Sequence, residues 1–468
     1  MKNINKINRL LLSIFLISML GCESYLDVNN DPNASTKASS SGLLASAIYA
    51  SSELNQSAGS VTSYYVQHLA SPSGSAIDQH REVRLENTWF QVYNVLTDLD
   101  ELITIASDQG SNDYTGIANI LYAMNLGLAT DLWGSIPYTE ALQGGDNLTP
   151  AYDSQESIYS AIQQRLDTGI QDLQKGESEF LPGRDDYVYQ GDRQKWIKTA
   201  YALKARYLNH STKKASYNPI AVLRAVDQSY VSYNEDAQMP YTEDKMNPWA
   251  NVVVLNNGGL LGGDISTQLV EAMNGTSYPT FDPRLPIFAD SLDDGSYAGT
   301  DNGIASPITG HSHINGDEFY GRRSTPLQLV TFAELKFIEA EASLRDNQGQ
   351  RAYDAYLEGI RAHMDKIGVN QEDRDAYIND SSVSVGVTNL TIDHIMKEKN
   401  VAMFLHPEAW ADARRYDYGY KNMELPNNHN EALNGQFIRR ILYPATELTR
   451  NGANVPDATL GEALWFDQ

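Results

Sequence analysis

The stretch STPLQLVTFAELKFIEAEASLRD, residues 324–346, decides the fold class. Val330, Ala333, Phe337, Ala340 and Leu344 recur every three or four positions, which sets one apolar seam along a helix. Thr325 reads as its cap, Pro326 as its first helical position and Gln328 as the return half of a capping box. RAYDAYLEGIRAHMDKIG (351–368) and TIDHIMKEKNVAMFLHPEAW (391–410) follow after short connections and read as its antiparallel neighbours. Alanines at close-contact positions suit an α-solenoid-like stack of helix pairs, although the sequence has no strict internal repeat.

The same pattern fills the first half. LENTWFQVYNVLTDLDELITIAS (85–107) places Leu85, Trp89, Val92, Leu96, Leu99 and Ile103 on one stripe. DYTGIANILYAMNLGLATDLWG (113–134) stops at Gly134, and SQESIYSAIQQRLDTGIQDLQKG (154–176) runs from a Ser154 cap to Gly176. DRQKWIKTAYALKARYLNHSTKK (192–214) finishes in cations, as the helix dipole favours. Residues 230–323 break the rhythm, being rich in Gly, Asn, Asp, Ser, Pro and Tyr with few periodic apolar residues. So long an irregular segment between strong helices reads as a functional, loop-built subregion with a few short strands. The loop LASPSGSAIDQHREV (69–83) has a similar composition. The expected organisation is a mainly α chain, one domain over 42–468, with a helical scaffold at 42–229 and 324–468 and a loop-rich insertion at 230–323.

The start of the chain has a different purpose. Lys2, Lys6 and Arg9 precede an uncharged apolar run from Leu10 to Leu20, the layout of a secretory signal. That run is well short of the ~20 residues that span hydrocarbon as a helix. Gly21 and Cys22 then suggest cleavage before the cysteine and lipidation of its thiol, and MLGC resembles a bacterial lipobox. The bland alternative is ordinary signal cleavage beside a coincidental cysteine. Cys22 is the only cysteine, so it has no disulfide partner. Residues 1–21 read as signal peptide and 22–41 as a polar tether. Cleavage takes away three positive charges and no acid, so the net charge of −25 becomes −28. So acidic a chain lacks the basic face that nucleic acid requires.

Enzyme chemistry finds little support. The sequence has no Gly-x-Ser-x-Gly elbow and no phosphate-cradling loop, and GGLLGG at 258–263 lacks dinucleotide-fingerprint spacing, so no cofactor is expected. Asp185-Asp186 and Asp293-Asp294 are sequence neighbours, which does not imply two carboxyls facing each other across a cleft. His311, His313, Asp317 and Glu318 form a conceivable metal cluster but lack the wider ligand spacing of a firm site, so no metal is assigned. The oxygen-rich DSLDDGSYAGTDNG (290–303) does not fit the EF-hand register.

Several segments together resemble the SusD/RagB family of outer-membrane nutrient-binding lipoproteins. They are CESYLDVNNDPN (22–33), DLWGSIPYTEAL (131–142), DPRLP (282–286), FAELKFIEAEASLR (332–345) and KEKNVAMFLHPEAWADARRYDY (397–418). YALKARYLNHSTK (201–213) and RRILYPATELTRNGAN (439–454) suggest its second, divergent SusD-like branch. The physical reading of these motifs is structural. Asp412, Arg414 and Arg415 tie a helix end to its neighbours, and Trp133 acts as a packing wedge beside Gly134. His406-Pro407 departs from the usual form, where Glu-Gly is commoner.

The resemblance implies a scaffold of TPR-like helix pairs with an irregular ligand-binding face. It also implies surface exposure at the outer membrane, lipid anchoring through Cys22 and a SusC-like TonB-dependent barrel transporter as partner. The cargo it implies is glycan, sometimes peptide. A tethered glycoside hydrolase and a structural adaptor are the readings from other classes. A sugar site wants aromatic planes beside polar groups. Twenty-eight tyrosines supply many rings, but those on helices are packing. The expected contacts therefore come from loops: Asp78, His80 and Arg81, where the family often places polar contacts, then Asn247 and Trp249, Tyr297 and Tyr320. Trp249 and Tyr320 are expected to stack on the ligand and Asp78 and Arg81 to bond its rim, while Trp89 is read as core.

Overall fold

The computed structural model describes residues 38–258, 263–305 and 309–468. The described helices and strands all belong to one compact unit, Ser40–Gln468. The signal segment, Cys22 and the tether up to residue 37 lie outside the described residues. Ser40 and Ser41, read as the end of the tether, open the first helix.

Six helices come first: α1 (Ser40–Tyr65), α2 (Glu86–Asp108), α3 (Asn112–Trp133), α4 (Gln155–Lys175), α5 (Arg193–His210) and α6 (Pro219–Val226), each packed on the next. Local chemistry sets their ends. The Ser154 hydroxyl accepts from Ser157 N at 3.2 Å to start α4, and Gly176 stops it at φ +73°. Asp192 accepts from Gln194 N and Lys195 N to start α5. Helices α3 and α4 touch backbone to backbone where two glycines meet. A Cβ on Gly169 would lie 2.8 Å from the Gly116 carbonyl oxygen, inside contact distance. Gly169→Val is therefore expected to lower the unfolding free energy by about 1–3 kcal/mol, read from urea midpoints; an unmoved midpoint would show that the helices separate at no cost.

The insertion is more ordered than its composition implies. It contains β2 (Ala237–Met239), α7 (Pro248–Asn257), β3 (Asp264–Ile265), α8 (Thr267–Met273) and the single turn α9 (Leu285–Phe288). Strand β3 pairs antiparallel with β1 (Leu69–Ala70), which ties the insertion to the end of α1. Strand β2 pairs antiparallel with β4 (Leu327–Val330), which ties it to the second half of the scaffold.

That second pairing corrects the expected helix start in 324–346. Residues Leu327–Val330 are strand, and the helix α10 runs Phe332–Arg345. Thr331 is the cap, its hydroxyl accepting from Glu334 N at 3.1 Å. Two Thr-x-x-acceptor patterns compete here, Thr325 to Gln328 and Thr331 to Glu334; the strand partner decides between them. Helix α11 (Gly349–Ile367) forms a hairpin with α10, which also packs on α6 and on α13 (Ile392–Ala402). The remaining helices are α12 (Gln371–Asn379), α14 (Glu408–Arg415) and α15 (Ala445–Arg450). Helices packed in consecutive pairs, with two two-stranded sheets among the described residues, make this a mainly α, TPR-like scaffold.

Trp89 is core, as read, packed edge-on against Trp133 at 5.0 Å between centroids. The charged motif near residue 412 is buried and paired. Arg415 reaches Glu341 with two bonds of 2.7 and 2.5 Å and Asp412 at 2.7 and 2.9 Å, while Lys399 meets Asp412 at 2.8 Å. Arg414 stacks 3.8 Å over Trp410 and donates to the carbonyls of Asp131 and Arg439. His406, at the departure from the family pattern, is buried, its Nδ1 accepting from Glu408 N at 3.1 Å.

Candidate functional site

Three irregular segments meet beside β1 and β3: the 71–83 loop, residues 300–305 and the asparagine-rich 421–430 loop. Their hub is Asp78, whose carboxylate accepts from Ser71 N at 3.1 Å, Gly303 N at 2.7 Å and Asn302 Nδ2 at 2.6 Å. Gln79 Nε2 donates to Gly303 O, Asn427 N to Asn302 O, and Asn430 N to Gln79 O. Gly303 has φ +87°, and a Cβ there would run into the Asn427 carbonyl at 1.8 Å, so only glycine fits. Side-chain amides thus take over the hydrogen bonding that helices and sheets provide elsewhere.

Against this junction, α8 and the 421–430 loop leave a cleft with about 420 Å³ of open space. Its walls present amides (Gln67, Gln268, Asn302, Asn422, Asn427), carboxylates (Glu271, Asp301, Glu424) and the Thr267 hydroxyl, and its described lining includes no lysine, arginine or histidine. The groups are held in place: Thr267 donates to Asp301 at 2.7 Å, Gln67 to Glu424 O at 2.7 Å and Gln268 to Lys421 O at 3.0 Å. Such a surface offers many oriented donors and acceptors to a hydroxyl-rich ligand and repels an anionic one.

The expected contact residues fall unevenly around it. Asp78 is fully buried and has the junction's backbone as partner; burial raises its pKa despite three donors. His80 is also fully buried, at φ +55°, with its ring among Tyr65, His429 and Phe437, and burial pushes it down to about 3. Arg81 is exposed at the end of the loop. Asn247 caps α7, accepting from Trp249 N at 2.9 Å and donating to Thr325 O at 2.9 Å. Trp249 is 5% exposed, against Gly59 of α1, and Tyr320 is 8% exposed, its hydroxyl bonded to His363 Nε2 at 3.0 Å. Tyr297 is half-buried beside Phe281, which is 47% exposed, with centroids 6.4 Å apart.

Trp249 and Tyr320, expected to stack on ligand, face inward in this structure. Both line one space with Asn247, but it holds only about 30 Å³, room for about two waters and none for a sugar ring. Their rings form the core of the insertion, with Tyr320 edge-on to Phe288 at 5.1 Å and to Phe404 at 5.0 Å. Asp78, His80 and Asn247 likewise build the site's frame. A signal for Trp249 was present: Asn247 followed by Pro248 is a helix start, which puts the indole on a packed helix rather than in a loop. The cleft draws on the asparagine-rich PNNHN at 426–430, the kind of loop that supplies such amides.

The groups considered for catalysis or metal find other tasks. Asp186 accepts from Val188 N, Tyr189 N, Gly191 N and Trp196 Nε1, and Asp185 accepts from the Tyr114 hydroxyl at 2.8 Å. His313 pairs with Asp264 at 2.9 Å and His311 with Gly299 O at 3.1 Å. Among the described residues, the group of three ligand types within mutual reach is Asp131, His210 and Glu408, all buried. Its charges are met within the protein. His210 bonds Glu408 through Nε2 and Tyr159 through Nδ1, and Arg206 lies 3.7 Å from Glu408. Burial alone would raise Glu408, but the His210 and Arg206 cations hold it well below the usual carboxylate range.

A scaffold of helical pairs whose loops frame a polar cleft places the chain in the helical-repeat fold class. The chain belongs to the SusD-like family described as starch-binding and associating with the outer membrane, whose model matches residues 32–444. Similar solved structures include a SusD/RagB family protein from Bacteroides thetaiotaomicron, 22% identical, TM-score 0.75, covering 92% of this chain and 99% of that one. A chitin-binding SusD homolog from Flavobacterium johnsoniae is 22% identical at TM-score 0.75, over 91% of this chain and 98% of that one. A SusD homolog from Parabacteroides distasonis is 18% identical at TM-score 0.77, over 92% and 98%. No curated protein sequence matches the chain. Among the described residues no helix is long and apolar enough to cross a membrane.

Proposed function

We propose that this protein captures a glycan nutrient at the cell surface, anchored in the outer membrane by lipid on Cys22, and passes it to a SusC-like TonB-dependent barrel transporter without chemical change. The observation that carries the reading is the cleft beside Asp78, where nine amide, carboxylate and hydroxyl side chains face about 420 Å³ of space. Sugar hydroxyls need that density of oriented polar partners, whereas an apolar ligand would strand them. The family's outer-membrane association agrees with it.

Calorimetric titration of the mature chain with starch, chitin, xylan and mannan oligosaccharides tests it. One of these is expected to bind, and Gln268→Ala and Asp301→Ala to weaken it about tenfold each, the loss of one or two hydrogen bonds apiece. Both residues are partly or fully exposed, so the fold is unaffected. Cleavage of the glycan by the protein, or binding of cationic peptides in place of every sugar, would overturn the reading.

A further inference from the structure

A second open cleft, of about 410 Å³, is built on the scaffold by α2, α3 and α4 with Tyr138 from the turn after α3, and it shares no lining residue with the cleft beside Asp78. That volume is within the range of small-ligand sites. Arg165 of α4 lies half-buried in it. Its guanidinium stacks 4.2 Å from the centroid of Tyr122, its Nη1 donates to Asn119 Oδ1 at 3.0 Å and its Nε to the Tyr138 hydroxyl at 3.4 Å. Those are its partners among the described residues, and none is a carboxylate. In a chain with 60 acids and 35 lysines and arginines, that is out of keeping. The other described arginines without an ion pair are exposed, save Arg414, which backbone carbonyls satisfy. Of the five N–H groups of Arg165 two are used. The rest, one on Nη1 and both on Nη2, are the side-by-side donors from which a carboxylate accepts.

We propose that this scaffold cleft is a binding site for a hydroxylated carboxylate of the uronic-acid class, whose carboxylate Arg165 holds. The inference goes beyond glycan capture at the Asp78 cleft and does not rest on it. Three features set the ligand's chemistry. The first is charge. The other charged side chains of the lining, Asp172 and Lys175, meet each other at 2.6 Å, so the cleft keeps one cation over. Asp100 of α2 acts on the Tyr122 hydroxyl but makes no ion pair with Arg165. The second is preorganisation. The Tyr122 ring and the buried Asn119, itself tied to Thr115 O at 2.9 Å, fix the guanidinium plane before a ligand arrives. The third is the supply of free polar groups. The Ser107 hydroxyl, the Gln164 amide and Asn112 Oδ1 have no protein partner among the described residues, and the Tyr138 hydroxyl accepts from Arg165 and keeps its own proton to donate. A fatty or aromatic acid would take the water from these groups and return no partner, and a bare inorganic anion would engage the fork alone, whereas a sugar acid meets both.

The test is calorimetric titration of the mature chain with galacturonate and glucuronate, each against its neutral counterpart, galactose or glucose. One uronate is expected to bind about tenfold or more tighter than its neutral counterpart. Arg165→Met and the cleft-filling Ser107→Trp are expected to lower that affinity by about tenfold or more, and Arg165→Lys to keep part of it, since the charge remains without the fork. Gln268→Ala, in the other cleft, should leave it unchanged. Ser107 is exposed, so where the urea midpoint of Arg165→Met shifts, the affinity of Ser107→Trp decides. Equal affinity for the neutral sugar, or unaltered affinity in the deciding variant, overturns the proposal. So does failure of both uronates to bind, including the case where triglutamate or inorganic phosphate binds instead. Titration of neutral oligosaccharides against Gln268→Ala reports on the Asp78 cleft separately, so the two readings fail independently.

Discussion

Arg415→Met is expected to destabilise the protein by about 3 kcal/mol, among the largest single-residue losses available outside the apolar core. The guanidinium is buried and makes four bonds to two carboxylates, Glu341 and Asp412, that are themselves buried. Burial alone would raise the Glu341 pKa; Arg415 and its two-pronged bonding hold it well below the usual carboxylate range. Removing Arg415 strips a buried acid of its main counter-charge, which costs more than the pair itself contributes. Arg345 at 3.0 Å and the Asn209 amide at 2.8 Å remain on Glu341, and Lys399 on Asp412, so the loss sits at the lower end of the range for broken buried pairs. Arg415→Lys keeps the charge but not the fork, and is expected to recover about half. Urea unfolding measures both. A loss under about 1 kcal/mol for the methionine variant would mean the network is redundant.

The second large effect is on acid stability. His68 and His406 are pushed down to about 4, His80 to about 3 and His363 well below the usual imidazole range, in each case chiefly by burial. A histidine with a depressed folded pKa stays neutral in the native state while the unfolded chain takes a proton below ~6.5, so stability falls as pH falls from there. Four such groups would remove about 5 kcal/mol per pH unit. Asp131 and Asp236, raised to about 6 by burial, oppose this, since the native state takes up their protons first. His210 is raised, so its contribution is complete throughout the acid range and lost only on the alkaline side. For these four histidines and two aspartates the balance between pH 6 and 4.5 is about two protons, or a loss of about 4 kcal/mol; the raised Asp78 and Asp290 and the lowered His394 and His429 act in opposite directions. Below pH 4 the depressed carboxylates Glu341, Glu408, Glu398 and Asp282 add to it. Urea midpoints across this range check the slope, and His80→Phe should reduce it by one proton. A pH-independent midpoint from 6 to 4.5 would contradict the burial of neutral histidines.

The helices were readable because each carries its own signals. Ser154 with Gly176 bounded α4, and the Trp89 stripe lay in the core as its spacing required. The start of α10 was not settled locally, since Thr325 and Thr331 both offer caps and only the pairing of β4 with β2 selects the second. The candidate site was legible as a region and not as residues. Loop composition marked 69–83 and 230–323, yet Trp249 and Tyr320 turned inward because an insertion of this size needs an apolar core of its own, and its few large rings provide it. The cleft joins Gln67, Gln268, Asp301 and Asn427, positions up to 360 residues apart, and no local pattern links them.

By itself, then, the sequence determined the helical-pair scaffold, caps and stops such as Ser154 and Gly176, and the charged motif that locks α14, because these depend on spacing within a few turns. The tertiary structure alone decided which polar side chains face open space. That choice rests on two short strand pairings and the Asp78 junction, whose hydrogen bonds form only after distant loops have been brought together.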